Sequence, residues 1–264
     1  MKILALATTF PRWKGDTEPP FVLDLCRHLV LQGHEITVLV PHAEGSARSE
    51  EMPAGEWENG YSPLQQDAAC REERPAGENT SKEVHVCRFP YWPWESGQRL
   101  CYNGGALPNL RSSWQARFNL PVLLWQQNRW LGRLLEREKY DLIHSHWIVP
   151  QGLFAVRHGA KRKLPVVITA HAGDVFPLRK PGLRQVLRHT LLSAGAVTAN
   201  SHATSEALRQ AAPEVHPHII PMGVDTPAPD AAEVREIRRR LAPEGPLILN
   251  AGRFAPKKGQ IYLL

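Results

Sequence analysis

The sequence predicts an α/β fold: a Rossmann-like, doubly wound parallel sheet with flanking helices, followed by the opening of a truncated second α/β domain. Three observations predict it. Short apolar runs alternate with amphipathic helical stretches along most of the chain, the pattern of a parallel sheet covered on both faces. Residues with chemistry gather just after those apolar runs rather than within the helices. A fresh apolar run near the end, Leu247–Ala251, follows a linker marked by Pro227, Pro229 and Asp230 and starts the strand–helix pattern again.

Taken in order, Lys2–Ala7 reads as a first strand. A polar loop carrying Pro11, Gly15, Pro19 and Pro20 follows it. A helix is predicted from Phe21, with Phe21, Val22, Leu25, Leu29 and Val30 on one face and Gly33 as its stop. Glu35–Val40 is the second strand. Residues 43–82 are rich in Glu, Ala, Gly, Pro and Ser with few regularly spaced apolar residues, so a mobile surface insertion is expected there. Val84–Phe89 restores a strand, and a helix is expected over Val122–Arg137. Further strands are expected at Leu142–Ser145, Val166–Ala170, Ala196–Ala199 and His218–Ile220, with helices at Gln151–Arg157, Leu183–Leu192 and Thr204–Ala211. The expected organisation is a first domain over 1–226, a linker and charged helix over 227–243, and the first strand and helix start of a second domain over 244–264.

Composition narrows the function classes. The chain has 264 residues, 42% of them hydrophobic, enough for one substantial core. Thirty-two basic against 26 acidic residues give +6, which favours anionic partners such as nucleotide phosphates or an anionic membrane surface. Nucleic acid is disfavoured: Arg157–Lys163, Arg179–Arg188 and Arg235–Arg240 are scattered, match no nucleic-acid motif and read as solvated helix faces. Cys26, Cys70, Cys87 and Cys101 show no Cys-x-x-Cys spacing, so reduced thiols and a cytoplasmic location are expected. A peripheral seat on the cytoplasmic membrane face is the alternative. No run reaches the roughly 18 apolar residues of a spanning helix.

In an open α/β sheet, ligands bind beyond the carboxyl ends of the strands. Four such ends carry polar residues: Thr8–Asp16, His144–Trp147, His171–Asp174 and Pro221–Asp225. His171, at the end of a buried strand and followed by small residues and Asp174, suits a hydrogen bond to a substrate hydroxyl or a developing charge. That role requires its imidazole to stand at the rim rather than in the interior. His144 and His146 share one strand face; His146 reads as a polar wall of the cleft, and His144 as packing. With His171 they raise the alternative of a zinc site, disfavoured because no carboxylate or Cys completes the set. Thr8–Asp16 lacks Gly-x-Gly-x-x-Gly, which disfavours NAD or FAD. Asn200-Ser201 reads as helix capping. Arg253 and Lys258 flank a glycine turn after Leu247–Ala251, and two such cations suit a diphosphate.

Together these segments resemble the family-4 retaining glycosyltransferases of the GT-B fold. The matching residues are Gly15 in the first loop, Gly33–Val38, Asp141–Trp147, Thr169–Asp174, Met222–Asp225 and Gly252-Arg253…Lys258-Gly259. The resemblance implies transfer of a sugar from a nucleotide-diphosphate sugar to an acceptor hydroxyl, with retention and without a metal or other cofactor. It implies that His171 contacts the donor sugar as the catalytic group. Asp174 would shape that loop, Gly15 and Asp16 would line the donor and acceptor side, and Arg253 and Lys258 would neutralise the pyrophosphate. Ala172 stands where many members have a glycine directly after the histidine. The family's second-domain carboxylates would lie beyond residue 264, so this chain alone is expected to be inactive. Tyr91–Trp94, Trp114, Trp125 and Trp130 belong to the acceptor-facing part, which suggests a glycan or lipid-linked acceptor and contact with a membrane surface. The alternative, which is preferred, is that the Trp residues on helical spacing belong to the core. The rival functions are a non-catalytic sugar- or nucleotide-binding module of the same fold and a His-metal hydrolase.

Overall fold

The computed structural model describes residues 1–13, 16, 18, 20–53, 83–102, 105–178, 182–223, 229–252 and 258–263. The chain divides into two compact units, Met1–Val224 and Asp225–Leu264.

The first unit is built on an eight-stranded sheet. Its strands in chain order are β1 (Lys2–Leu6), β2 (Glu35–Pro41), β3 (Ser49–Pro53), β4 (Glu83–Phe89), β5 (Leu142–His146), β6 (Val166–Ala170), β7 (Ala196–Ala199) and β8 (His218–Ile219). They lie side by side in the order β3-β4-β2-β1-β5-β6-β7-β8. All neighbours pair in parallel except β3 with β4. The chain therefore runs outward from β1 through β2 and β4, then returns to β5 on the other side of β1. That reversal puts a crevice at the carboxyl ends of β1 and β5, where an open parallel sheet takes its ligand.

Alternation within β1 sorts the core into two layers. Ile3 and Ala5 join Val22, Leu23 and Cys26 on one face, while Leu4 and Leu6 join Leu39, Leu123 and Leu131 on the other. Cys26, Cys87 and Cys101 are buried thiols outside any disulfide. The reading of the tryptophans on helical spacing as core residues fails for Trp114 and Trp125, which are exposed, and holds for Trp130, which packs against the core.

Helix α1 (Phe21–Leu31) ends as its sequence predicts. Gly33 has φ 86°, its N–H donates to Val30 O, and the His34 N–H donates to Leu29 O. Those two bonds close the helix end, and the left-handed turn needs the missing Cβ.

Four differences from the sequence reading have physical causes. Within the expected insertion, Ser49–Pro53 forms β3, antiparallel to β4. A charged edge strand of this kind carries no apolar alternation to announce it. Residues 54–82 lie outside the described set. A short helix, α2 (Ala106–Ser112), precedes the long helix, α3, which spans Trp114–Arg137 and contains Pro121 rather than beginning after it. Ser113 caps α3, its Oγ accepting the Ala116 N–H. Helix α4 covers Leu153–Arg162, and α5 (Ala172–Leu178) was not foreseen. Helices α6 (Leu183–Leu192) and α7 (His202–Ala211) follow expectation, and Ser201 Oγ accepts the Thr204 N–H as the cap.

The fourth difference lies in the second unit. Helix α8 (Ala231–Leu241) is capped by Asp230, which accepts the Ala232 and Glu233 N–H groups. Residues 247–250 pair with no strand, and Ile248 and Leu249 are 76% and 83% exposed. An apolar run becomes a strand only when a neighbour takes its N–H and C=O groups, so the expected strand is absent. No residue of α8 is buried. Hydrogen exchange should therefore be much faster in α8 than in β1 or β6, and protection of α8 equal to theirs would overturn this description.

Candidate functional site

The carboxyl ends of β5 and β6 bring three histidines together. His144 and His146 alternate on β5 with ring centroids 4.5 Å apart. His171, one residue past β6, stacks on His146 with centroids 5.6 Å apart. His144 Nε2 hydrogen-bonds Thr169 Oγ1 at 2.8 Å, and Thr169 Oγ1 meets Thr198 Oγ1 at 2.8 Å, a chain running across β5, β6 and β7. His146 Nδ1 and His171 Nε2 lie 3.4 Å apart. His146 Nε2 is buried without a hydrogen-bond partner. A bare lone pair costs less there than a bare N–H, so the hydrogen-bond pattern assigns His146 its proton on Nδ1, donated toward His171.

Burial governs how these rings titrate. It pushes His144 and His171 down to about 4 and His146 well below its usual value, with mutual repulsion acting in the same direction on His146 and His171. All three are neutral at physiological pH. A neutral imidazole offers one donor and one acceptor.

Asp174 fixes the His171 turn. Its Oδ1 accepts the His171 backbone N–H at 2.9 Å and its Oδ2 accepts the Ile148 N–H at 2.7 Å. The Asp174 N–H returns a bond to His171 O at 3.1 Å, so His171 and Asp174 form a reciprocal cap on α5. One carboxylate thus ties the ends of β5 and β6 together. Burial raises its pKa to about 7 against the pull of these N–H groups. Asp174→Asn replaces one accepting oxygen with an NH2 group and strands one buried N–H. Chemical denaturation should register a loss of about 1–3 kcal/mol, and an unchanged midpoint would show that the clasp is not needed.

His171 follows the carboxyl end of β6, but its imidazole is buried at 6% exposure rather than open at the rim as the sequence reading required. Phe21 and Trp147 cover it, each with its ring centroid 5.1 Å away. Trp147 has φ 73°, a conformation that costs a bulky residue about 1–3 kcal/mol. It is held by its N–H to Thr169 O, and by the Gly152 N–H and Ser145 Oγ donating to its carbonyl.

The other sequence-predicted positions are Gly15, Asp16, Arg253 and Lys258. Asp16 is on the first loop, where Arg12 Nε and Nη2 grip its two oxygens at 2.8 and 2.7 Å. The Arg12 backbone N–H adds a third bond at 2.9 Å. This carboxylate is taken up by Arg12 rather than facing a ligand freely; its hydrogen bonds to Arg12 keep its pKa below the usual range despite burial. Lys258 is exposed in the second unit. Gly15 and Arg253 fall outside the described residues. Among the described residues no group of three or more His, Cys, Asp or Glu side chains could hold a metal ion; the histidines stack instead of converging, and His144 turns its Nε2 to Thr169. Sequence reasoning missed Phe21, Trp147 and Arg12. Only Trp147, beside two alternating histidines, carried a signal.

Comparisons with known proteins bear on this site. The sequence profile of Glycosyltransferase Family 4 matches residues 20–227, which include β5, β6 and the histidine cluster. TuaC of Bacillus subtilis (strain 168), assigned as a teichuronic acid biosynthesis glycosyltransferase, is 29% identical over 136 residues, covering 49% of this chain and 35% of TuaC. Among solved structures, Anabaena HepE in complex with UDP-glucose is similar at 15% identity, with a TM-score of 0.45 over 91% of this chain and 50% of HepE. The catalytic domain of starch synthase IV from Arabidopsis thaliana, bound to ADP and acarbose, is similar at 14% identity, with a TM-score of 0.48 over 91% of this chain and 59% of that one. The chain thus spans about a third of the curated relative and 50% and 59% of these two structures. With more than half its length matched by the family's profile, the chain belongs to Glycosyltransferase Family 4.

Proposed function

We propose that this chain supplies the acceptor-side part of an enzyme that moves a hexosyl group from a nucleotide-diphosphate sugar to a hydroxyl of a glycan or lipid-linked acceptor, with retention. The observation that carries the reading is the His146–His171–Asp174 cluster at the carboxyl ends of β5 and β6, inside the segment matched by the family. Neutral His171 would hydrogen-bond the donor sugar, with His146 behind it and Asp174 holding the turn. Gly15 would lie against donor and acceptor, and Asp16 would act through Arg12 by shaping the loop. Arg253 and Lys258 would offset the charge that builds on the leaving diphosphate, so neither a metal nor another cofactor is needed. The cytoplasm, where nucleotide sugars would be drawn, is the proposed compartment.

The test joins residues 1–226 to the donor-side domain of a family member and assays it beside the 264-residue chain with a panel of nucleotide sugars. Transfer should persist in EDTA, and proton NMR should show the product keeping the donor's anomeric configuration. Inversion would remove the retaining mechanism. Donor binding by calorimetry without any transfer would favour the non-catalytic module. Stoichiometric zinc by elemental analysis would revive the His-metal hydrolase.

A further inference from the structure

A polar cavity of about 390 Å³ lies in the first unit, and five of the residues lining it, Glu95, Ser96, Gln98, Arg99 and Tyr102, come from the segment after β4. That volume is in the range of small-molecule sites. Between Pro90 and Tyr102 the only regular element is one helical turn, Glu95–Gly97, so side chains set the path of this wall. Tyr91 Oη accepts the Leu100 N–H at 3.1 Å, and Asn119 Oδ1 accepts the Arg99 N–H at 3.2 Å. Gln98 Oε1 accepts the Tyr91 N–H at 3.0 Å, and Gln98 Nε2 lies 3.0 Å from His42 Nδ1. His42 Nε2 in turn lies 3.0 Å from Ser46 O. The Ser46 carbonyl belongs to a tight turn, with the Ser46 N–H donating to Ala43 O and Ser46 Oγ bonded to both Ala43 N and Ala43 O. His42 and Gln98 are both buried.

The two ends of this hydrogen-bonded chain have fixed roles. The Tyr91 N–H can only donate and the Ser46 carbonyl can only accept. Gln98 must therefore turn its oxygen to Tyr91 and its NH2 to His42. His42 must then carry its proton on Nε2 and a lone pair on Nδ1. From this geometry we infer that His42 is a positioning residue of the cavity: its neutral Nδ1 anchors Gln98 and so holds the Tyr91–Tyr102 wall, and a proton on Nδ1 frees that wall. A doubly protonated ring sets an N–H against the Gln98 NH2. Turning the amide over moves the conflict to the Tyr91 N–H, so a buried donor is stranded in either orientation. Three charged groups act on the ring: Glu95 from the wall, with Oε1 3.7 Å from Nε2, Arg88 from β4 and Arg48 from the loop before β3. Burial lowers the His42 pKa most, the two arginines lower it further and Glu95 opposes them, which leaves it below 6.5. The wall is held at neutral pH and released on acidification. Giving the cavity to the acceptor rests on the function proposed above; the His42 anchor stands without it.

NMR of the histidine ring nitrogens in the 264-residue chain tests this without any sugar and without a variant that must fold. His42 should show a protonated Nε2 and a bare Nδ1 at neutral pH, and should take up its second proton below pH 6.5. Amide exchange, expressed as protection factors, should show Tyr91 and Leu100 losing about tenfold or more on acidification relative to β1 and β6. His42→Asn, which offers Gln98 an oxygen near the position of Nδ1 and does not titrate, should keep that protection at neutral and acidic pH alike. His42→Leu should lose it at both. Gln98→Glu should reverse the sign: its second carboxylate oxygen draws a proton onto Nδ1, raises the His42 pKa and tightens the wall on acidification. A His42 tautomer protonated on Nδ1, a His42 pKa that Gln98→Glu leaves unchanged, or equal loss of protection in the wall and in β1 would overturn the inference. None of these readouts uses transfer, so an inactive joined enzyme would sink the proposed function alone.

Discussion

Between about pH 6.5 and pH 4 the first unit should lose most of its stability, because it folds around histidines that must stay neutral. A histidine whose folded pKa lies below its unfolded value binds a proton only in the unfolded chain. Stability is then full above the unfolded pKa and falls as the pH drops toward the folded one. His144 and His171, both at about 4 when folded, can each cost up to about 3 kcal/mol over that window. His146 and His42, both lowered by burial, act in the same direction. Asp174 opposes them: raised to about 7, it takes up a proton in the folded state first and favours folding as the pH falls below 7. One carboxyl does not offset four imidazoles, and the total stability of a domain is only about 5–15 kcal/mol. Urea midpoints measured at successive pH values should fall steadily below pH 6.5, and His171→Phe should flatten the slope by about one proton. A midpoint unchanged from pH 7 to pH 5 would mean that these rings are not held neutral.

The same burial explains what could be read from sequence. Strands β1, β2, β6 and β7 are short apolar runs between breakers, and α6 has an apolar face with a three-to-four spacing, so local pattern placed them. That His144 and His146 lie on β5 and His171 just past β6 followed from the strand pattern alone. Their relation did not. That His146 stacks on His171, that Thr169 and Thr198 bind His144, and that Phe21 from α1 covers the cluster depends on strand order and on residues far apart in the chain. Asp174 was placed near His171, yet its bond to the Ile148 N–H joins two strand ends that sequence proximity cannot connect. Strand β3 and the unpaired run at 247–250 fail in opposite directions for one reason. Pairing depends on the neighbouring backbone, so a polar segment beside β4 became a strand, while an apolar segment without a partner did not.

In residues 1–226 joined to a donor-side domain, removal of the His171 imidazole should depress sugar transfer by about a hundredfold to a thousandfold, the scale of losing one group that meets the reacting centre. The loss should fall on kcat, since a neutral ring bonded to the donor sugar gains most where charge develops. His171→Phe keeps the aromatic packing between Phe21 and Trp147 and should be as inactive as His171→Ala, which separates chemistry from folding. His171→Asn, which keeps a polar group near the position of Nδ1, the nitrogen not turned toward His146, should recover part of the rate. With His171 at about 4 in the folded protein, the rate should show no step near pH 6.5; its acid limb should track unfolding instead. Access is the second half of the argument. Phe21→Ala should uncover the ring and speed its modification by diethylpyrocarbonate, while leaving the His171–Asp174 cap in place. Wild-type transfer by His171→Phe would exclude the imidazole from the reaction, and slow modification in Phe21→Ala would show that Trp147, rather than Phe21, closes the path to it.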